Sequence, residues 1–222
     1  MTALHVFDMD GTLLRGTTAP IEISRRVGRL EPLAELERGF AAEEISAAEF
    51  AVEMRALWED LTVELVAEVV AAAPWIDGIE DVCADIAERG ERSMLITMSP
   101  AFFAEHLRDR GIDVVRASLF PPLPFAAPID PTGILNPADK VRLTEAERAA
   151  HGLPRDACVA YGDSMSDLPL FGVLQNTVAV NADPALERAA RVAYRGEDLR
   201  EAYAQGRAML DAVAPDDPGQ HG

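Results

Sequence analysis

The sequence predicts an α/β fold: a parallel sheet flanked by helices, with a small all-helical block inserted after the first strand. Three observations predict it. Short apolar runs alternate with helical stretches from residue 79 onward, the pattern of strand–helix–strand units. Residues 21–73 instead keep apolar side chains at helical spacing, with no strand-like run. Polar residues able to do chemistry stand where the strand-like runs stop: Asp8 and Asp10, Thr97 and Ser99, Asp163, and Asn181. In open parallel sheets the carboxyl ends of the strands are where ligands bind.

The elements follow in order. Residues 4–7 (Leu-His-Val-Phe) form a short apolar run that stops at Asp8-Met9-Asp10-Gly11, a buried strand followed by a turn. Residues 21–73 divide into three or four helices; Phe50, Met54, Leu57, Trp58 and Leu61 mark one apolar stripe, and Leu65, Val66, Val69 and Val70 continue it. Pro74 ends the block. Residues 79–87 read as a helix closed by Arg89-Gly90, 94–97 as a buried strand, 101–110 as a helix stopped by Gly111, and 113–115 as a short strand. Residues 121–137 contain six prolines, which predicts an irregular excursion with a hairpin at the sheet edge. A helix over 138–150, strands over 158–161 and 177–180, a helix from Pro184, a short strand near Val192 and a last helix complete the core. The turn-rich tail 215–222 is expected to fray. The domain organisation expected is a core of residues 1–15 and 76–222 with a helical cap of residues 16–75.

Composition narrows the function. The 222 residues carry 20 Lys and Arg against 38 Asp and Glu, a formal charge of -18 with no basic run, which disfavours a nucleic-acid partner. A 49% hydrophobic content with 26% charged residues fits a folded chain. No apolar run reaches membrane-spanning length and the N-terminus has no basic n-region, so neither a membrane span nor a signal peptide is expected. Cys83 and Cys158 lie in apolar segments without metal-site spacing and read as buried thiols of a reducing compartment, hence a cytoplasmic location.

Asp8-Met9-Asp10-Gly11-Thr12 puts two carboxylates two residues apart at a strand end. It reads either as a capped turn, since Asp, Gly and Thr are common turn formers, or as a nucleophilic carboxylate beside a general acid/base. Gly162-Asp163-Ser164-Met165-Ser166-Asp167 follows another strand, and the four-residue spacing puts both acids on one face if a helix starts there. That pair is either an N-cap with an acid in the first turn or part of a hard-cation site, for which carboxylates without His or Cys suit Mg2+. Lys140, the single lysine of the chain, is either a solvated surface residue or the charge that offsets these acids toward phosphate. Ser99 reads as a helix N-cap with Pro100 at the first helical position, and a helix N-terminus also suits an anion.

In this order, Asp8-x-Asp10-Gly11-Thr12, Ser99, Lys140 and Gly162-Asp163 with Asp167 resemble the four motifs of the haloacid dehalogenase (HAD) superfamily of phosphatases. The insert after the first motif, and the stretch Val178 to Pro184, resemble its phosphoserine-phosphatase-like branch. The resemblance implies a Rossmann-like core and a Mg2+-dependent hydrolysis of a small phosphorylated metabolite through an aspartyl-phosphate. By it Asp8 is the nucleophile and Asp10 the acid/base. Mg2+ is held by Asp8, the backbone carbonyl of Asp10, and Asp163, with Asp167 beside it; Ser99 and Lys140 hold the phosphoryl group, and Arg55 of the cap faces the substrate. Two departures set the substrate apart from phosphoserine. Arg15-Gly16-Thr17-Thr18 lacks the acid that follows the first motif in the serine-specific enzymes, and Ser99 precedes Pro100, which has no N–H, instead of glycines. A phosphotransferase using the same intermediate and a non-catalytic phospholigand-binding protein are the alternatives. Asp10 argues against carbon–halogen hydrolysis, which needs no protonated leaving oxygen. A phosphate-accepting receiver domain is too short for 222 residues and has no such insert.

Overall fold

The structure, a computed structural model, describes residues 2–212. The tail at 215–222 lies outside the described residues. Strand β1 (Leu4–Phe7) ends in a tight turn whose residues pair as two very short strands, β2 (Asp10–Gly11) and β3 (Leu14–Arg15). Two-residue pairings like these leave no period in a sequence, and none was expected.

Four helices follow before the sheet resumes: α1 (Ala19–Arg26), α2 (Leu30–Ala41), α3 (Ala47–Leu57) and α4 (Val63–Ala72). Their starts are set by local chemistry. The Thr18 and Thr62 hydroxyls accept from the N–H groups of Ile21 and Leu65, and Ser46 and Glu49 form a capping box. The indole N–H of Trp58 donates to Ser24 Oγ at 2.9 Å, pinning the end of α3 to α1. The helical block has no separate core. Ile23, Met54, Trp58 and Val66 belong to the same buried cluster as Phe7, Leu95 and Tyr161 of the sheet.

After α5 (Ile79–Glu88) come β4 (Arg92–Pro100), the short α6 (Ala101–Ala104) and β5 (Val114–Ser118). Helix α7 (Pro137–Ala150), β6 (Cys158–Gly162), α8 (Leu168–Phe171), β7 (Asn176–Val180), α9 (Pro184–Ala189), β8 (Val192–Tyr194) and α10 (Leu199–Asp211) complete the described chain. The sheet runs β5-β4-β1-β6-β7-β8 with every pairing parallel. Alternate residues serve opposite faces: Phe7, Leu95, Val159 and Tyr161 pack on one side, and Val6, Met94, Ile96 and Ala160 on the other.

Three local expectations are corrected. Strand β4 runs on to Pro100, with a register shift after Ile96, so Ser99 ends a strand and Pro100 takes the N-cap position of α6. The stretch expected as one helix over 101–110 is α6 followed by a 3-10 segment, Glu105–Arg110, ended by Gly111 in the left-handed region. No edge hairpin forms in 119–136. Leu119 N–H donates to the Gly133 carbonyl at 2.8 Å and Leu135 N–H to Ser118 Oγ at 3.0 Å, closing a loop whose prolines have no N–H for a ladder. Both cysteines are free and buried, and burial pushes their thiols up, to about 12 for Cys83 and about 11 for Cys158.

Candidate active site

The carboxyl ends of three adjacent strands bring the motif residues together. β1 delivers Asp8 and Asp10, β4 delivers Thr97 and Ser99, and β6 delivers Asp163 and Asp167. Helix α7 carries Lys140 in its first turn. Asn136 accepts from Ala138 N–H, and Asp139 reaches back to the Asn136 N–H at 3.0 Å, a capping box that fixes where the helix begins.

Lys140 is 2% exposed, which overturns the surface reading of this residue. Its Nζ donates to Asp8 Oδ1 and to Asp167 Oδ1, both at 2.6 Å, and lies 3.3 Å from Ser166 Oγ. Burial pulls the ammonium's pKa down, but the charges of Asp8 and Asp167 outweigh that and hold it protonated. A buried ion pair of this kind stands because each charge is matched; removing one partner leaves the other unpaired. Asp167 is engaged at both oxygens, since its Oδ2 accepts the N–H of Asp163 at 3.1 Å and of Ser164 at 3.3 Å. The loop is therefore wound around Asp167, and a helix begins only at Leu168; the shared helical face expected for Asp163 and Asp167 is not formed.

Asp10 lives in different surroundings. Its Oδ1 accepts the Ala19 N–H at 2.7 Å, and its Oδ2 accepts the hydroxyls of Ser99 at 2.7 Å and Thr97 at 3.0 Å. Burial raises its pKa, and those three donors temper the rise without cancelling it. Burial also drives Asp8 well above the usual carboxylate range, with Lys140 opposing. Ser99 thus holds Asp10 through its hydroxyl, a contact that the N-cap reading did not contain. Thr97 was legible as a polar strand end; its bond to Asp10 needed the β4 geometry.

Asp8, Asp163 and Asp167 each offer an oxygen within 4.8 Å of the others. Asp163 Oδ1 is buried without a hydrogen-bond partner, and burial, then Asp167, raises this acid to about 7. Three crowded carboxylate oxygens with an orphaned acceptor fit a hard divalent cation, and no soft ligand stands among them. The Asp10 side chain is outside this group. Two glycines make the crowding possible: a Cβ on Gly11 would lie 1.9 Å from Asp163 Oδ2, and one on Gly162 would lie 2.3 Å from the Asp167 carboxyl carbon.

The acids face a cavity of about 470 Å³ that Asp8, Asp10, Ser99, Lys140, Asp163 and Asn181 share with residues of α1, α2 and α3. Asn181, in the left-handed region, ties its loop to Gly196 by two side-chain hydrogen bonds of 2.9 and 3.0 Å. Arg55 is not part of the cavity lining. Its Nε donates to the Ala127 carbonyl at 2.8 Å and its guanidinium lies 5.4 Å from the Phe125 ring centre, so the proline-rich loop takes the side chain expected at the substrate. Glu37 of α2 and Phe40 beside it do line the cavity; an acid on an exposed-looking helix gives no sequence signal of that placement.

The sequence matches the family of haloacid dehalogenase-like hydrolases over residues 5–172. No curated protein sequence matches it significantly. Among solved structures, a substrate-bound phosphoserine phosphatase complex is similar with a TM-score of 0.76 at 20% identity, over 92% of this chain and 98% of that one. A probable phosphoserine phosphatase from Vibrio cholerae gives 0.78 at 19% identity, over 96% of this chain and 67% of that one. A HAD family hydrolase from Salmonella enterica serovar Typhi gives 0.78 at 17% identity, over 90% and 70%. At these identities the likeness is one of fold.

Proposed function

The chain belongs to the haloacid dehalogenase-like hydrolase family, and from that premise we propose that it is a phosphomonoesterase acting through an aspartyl-phosphate on Asp8, with Mg2+ as its cofactor and a small phosphorylated metabolite as substrate. The observation that carries the reading is the unlike treatment of two acids in one cavity. Asp8 is bound to an ammonium, whereas Asp10 is held by an amide and two hydroxyls. Environments that separate two carboxylates in this way assign them different work.

Lys140 opposes the protonation of Asp8 that burial favours and fixes it through Oδ1, leaving Oδ2 to attack phosphorus. The bond from phosphorus to the alcohol oxygen breaks, and that oxygen takes the proton of Asp10, whose raised pKa keeps the acid form accessible. Asp10, now ionised, then accepts a proton from water as the water attacks the phosphoryl group, which releases phosphate and restores Asp8. Ser99 and Thr97 orient Asp10, and Lys140 offsets the charge of the phosphoryl group as well as that of Asp8 and Asp167. Asp8, Asp163 and Asp167, with the Asp10 carbonyl, would hold Mg2+, which when bound supplies positive charge to the transferring phosphoryl oxygens.

The test is phosphate release from p-nitrophenyl phosphate with Mg2+ and with excess EDTA, on the wild type and on Asp8→Asn. The wild type should turn over only with Mg2+. Asp8→Asn keeps the shape, removes the attacking charge and should lose several orders of magnitude in kcat. Near-normal turnover by Asp8→Asn with unchanged circular dichroism would overturn the aspartyl-phosphate mechanism.

A further inference from the structure

The cavity above the acids has two unlike ends. One part of the lining holds Asp8, Asp10, Asp163 and Lys140, with Thr17, Thr18, Ser164 and Asn181 among its uncharged polar side chains, and the other is a hydrocarbon wall: Ile21, Phe40, Phe50, Met54, Phe120 and Leu135. The rings of Phe40 and Phe50 pack at 5.2 Å between centroids, so α2 and α3 present one joined aromatic surface. A single ionisable side chain, Glu37, joins that wall. Arg25 pairs with Glu22 and Arg26 with Glu68, Arg38 lies 3.8 Å from Glu35, and Arg29, nearer in the sequence than the first two, is not part of the cavity lining. Glu37 is half-buried and its pKa is raised by burial, the condition of a carboxylate short of a counter-charge. Apart from Lys140, already bound to two carboxylates, no Lys, Arg or His among the described residues lines the cavity. Arg55, the cation of α3 expected to face the substrate, is held by Ala127 and Phe125.

A substrate carboxylate would find Asp8, Asp10, Asp163 and Glu37 here and no unpaired Lys, Arg or His among the described residues, and a polar alcohol would lose water against the hydrocarbon wall, which returns no hydrogen bonds. We infer, on the phosphomonoesterase reading above, that the alcohol half of the substrate is an apolar amine: its hydrocarbon lies on the Phe40, Phe50 and Met54 wall and its ammonium pairs with Glu37, which makes Glu37 the residue that selects substrate charge. Phosphorylated amino acids and sugar acids are thereby disfavoured. The cavity of about 470 Å³ has room for a single ring with a short side chain beside the phosphate.

Three aryl phosphates of similar shape and leaving group test it: O-phosphotyramine with an ammonium, 4-ethylphenyl phosphate with no second charge, and 3-(4-phosphonooxyphenyl)propanoate with a carboxylate. In the wild type with Mg2+, kcat/KM should fall in that order, by about tenfold at each step, the scale of one charge-assisted hydrogen bond at the first step and of one like-charge repulsion at the second. Glu37→Gln should bring the ratio of the first to the second to about one, and Glu37→Lys should invert the order. These are ratios within one enzyme, so a partly folded variant does not distort them. A flat or reversed order in the wild type, or the wild-type ratio kept in Glu37→Gln, overturns the inference while hydrolysis of the neutral ester leaves the phosphomonoesterase reading standing. Failure to hydrolyse any of the three or p-nitrophenyl phosphate overturns both.

Discussion

His5, in the middle of β1, is fully buried, and its two ring nitrogens have unlike partners: Glu91 at 2.9 Å from Nε2 and the Tyr161 hydroxyl at 3.2 Å from Nδ1. A carboxylate can only accept, so Nε2 carries the proton and the tyrosine donates to Nδ1. Burial lowers the His5 pKa, and the Glu91 contact only partly restores it. A histidine held neutral by the fold binds its proton more readily in the unfolded chain. Its contribution to stability is therefore complete above the ordinary 6.5 and is lost as the pH falls below that value toward the lower folded pKa. The difference in Tm between the wild type and His5→Asn should accordingly shrink when the pH is taken from 7.5 to 5.5. Thermal melts of both proteins at the two pH values measure it, and a difference that stays constant would mean that His5 does not titrate with folding. The residues of the site were legible for a related reason. Asp8, Asp10 and Asp163 stand where apolar runs end, and Lys140 has no other lysine to be confused with. Glu37 and Arg55 were not, because helical periodicity gives a face and leaves open which neighbour that face meets.

Helices α1 to α4 share their buried side chains with the sheet, and two hydrogen bonds join the block to the catalytic end of the core. Ala19, the first residue of α1, donates its N–H to Asp10, and Arg55 of α3 is fastened to the loop between β5 and α7. Arg55 therefore acts as a clasp. Arg55→Ala should leave the aryl phosphate series above in its wild-type order while lowering kcat/KM on all three by a similar factor, roughly threefold to tenfold, the scale of one ordinary hydrogen bond at a partly exposed site. A loss confined to the carboxylate-bearing ester would instead return Arg55 to the substrate. At this scale the central strands were easy to read, since β1 and β6 are short, mostly apolar runs buried along their whole length, and so was the helical block. The last residues of β4 were not: Met98, Ser99 and Pro100 break the apolar run, and only pairing with β5 across a register shift keeps them extended. The loop 119–136 was legible as irregular from its prolines, but its closure depends on Leu119 meeting Gly133, a contact that composition does not encode.

The whole chain carries a formal charge of -18, and folding gathers Asp8, Asp163 and Asp167 around one lysine at a single point of that negative field. Any salt screens the general repulsion and should raise Tm somewhat. A cation bound at the cluster should do more, because it reaches Asp163 Oδ1, which has no other partner. At a free concentration one hundred times its Kd, a ligand of the folded state adds about 2.7 kcal/mol, which for a chain of this size raises Tm by roughly 5–10 °C. The two effects separate when Mg2+ is compared with NaCl at equal ionic strength. Mg2+ should produce the larger shift in the wild type, and Asp163→Asn should reduce it to that of NaCl. The same variant should melt higher than the wild type when both are metal-free, since Asn fills the position without adding to the repulsion with Asp167. This expectation is independent of turnover, so it tests the cation site whatever the substrate class. Equal shifts from Mg2+ and NaCl in the wild type would leave the three carboxylates without a metal to hold. Ca2+ should stabilise the fold as Mg2+ does while failing to support turnover, because its looser, higher coordination can take both oxygens of Asp8 and leave none to attack.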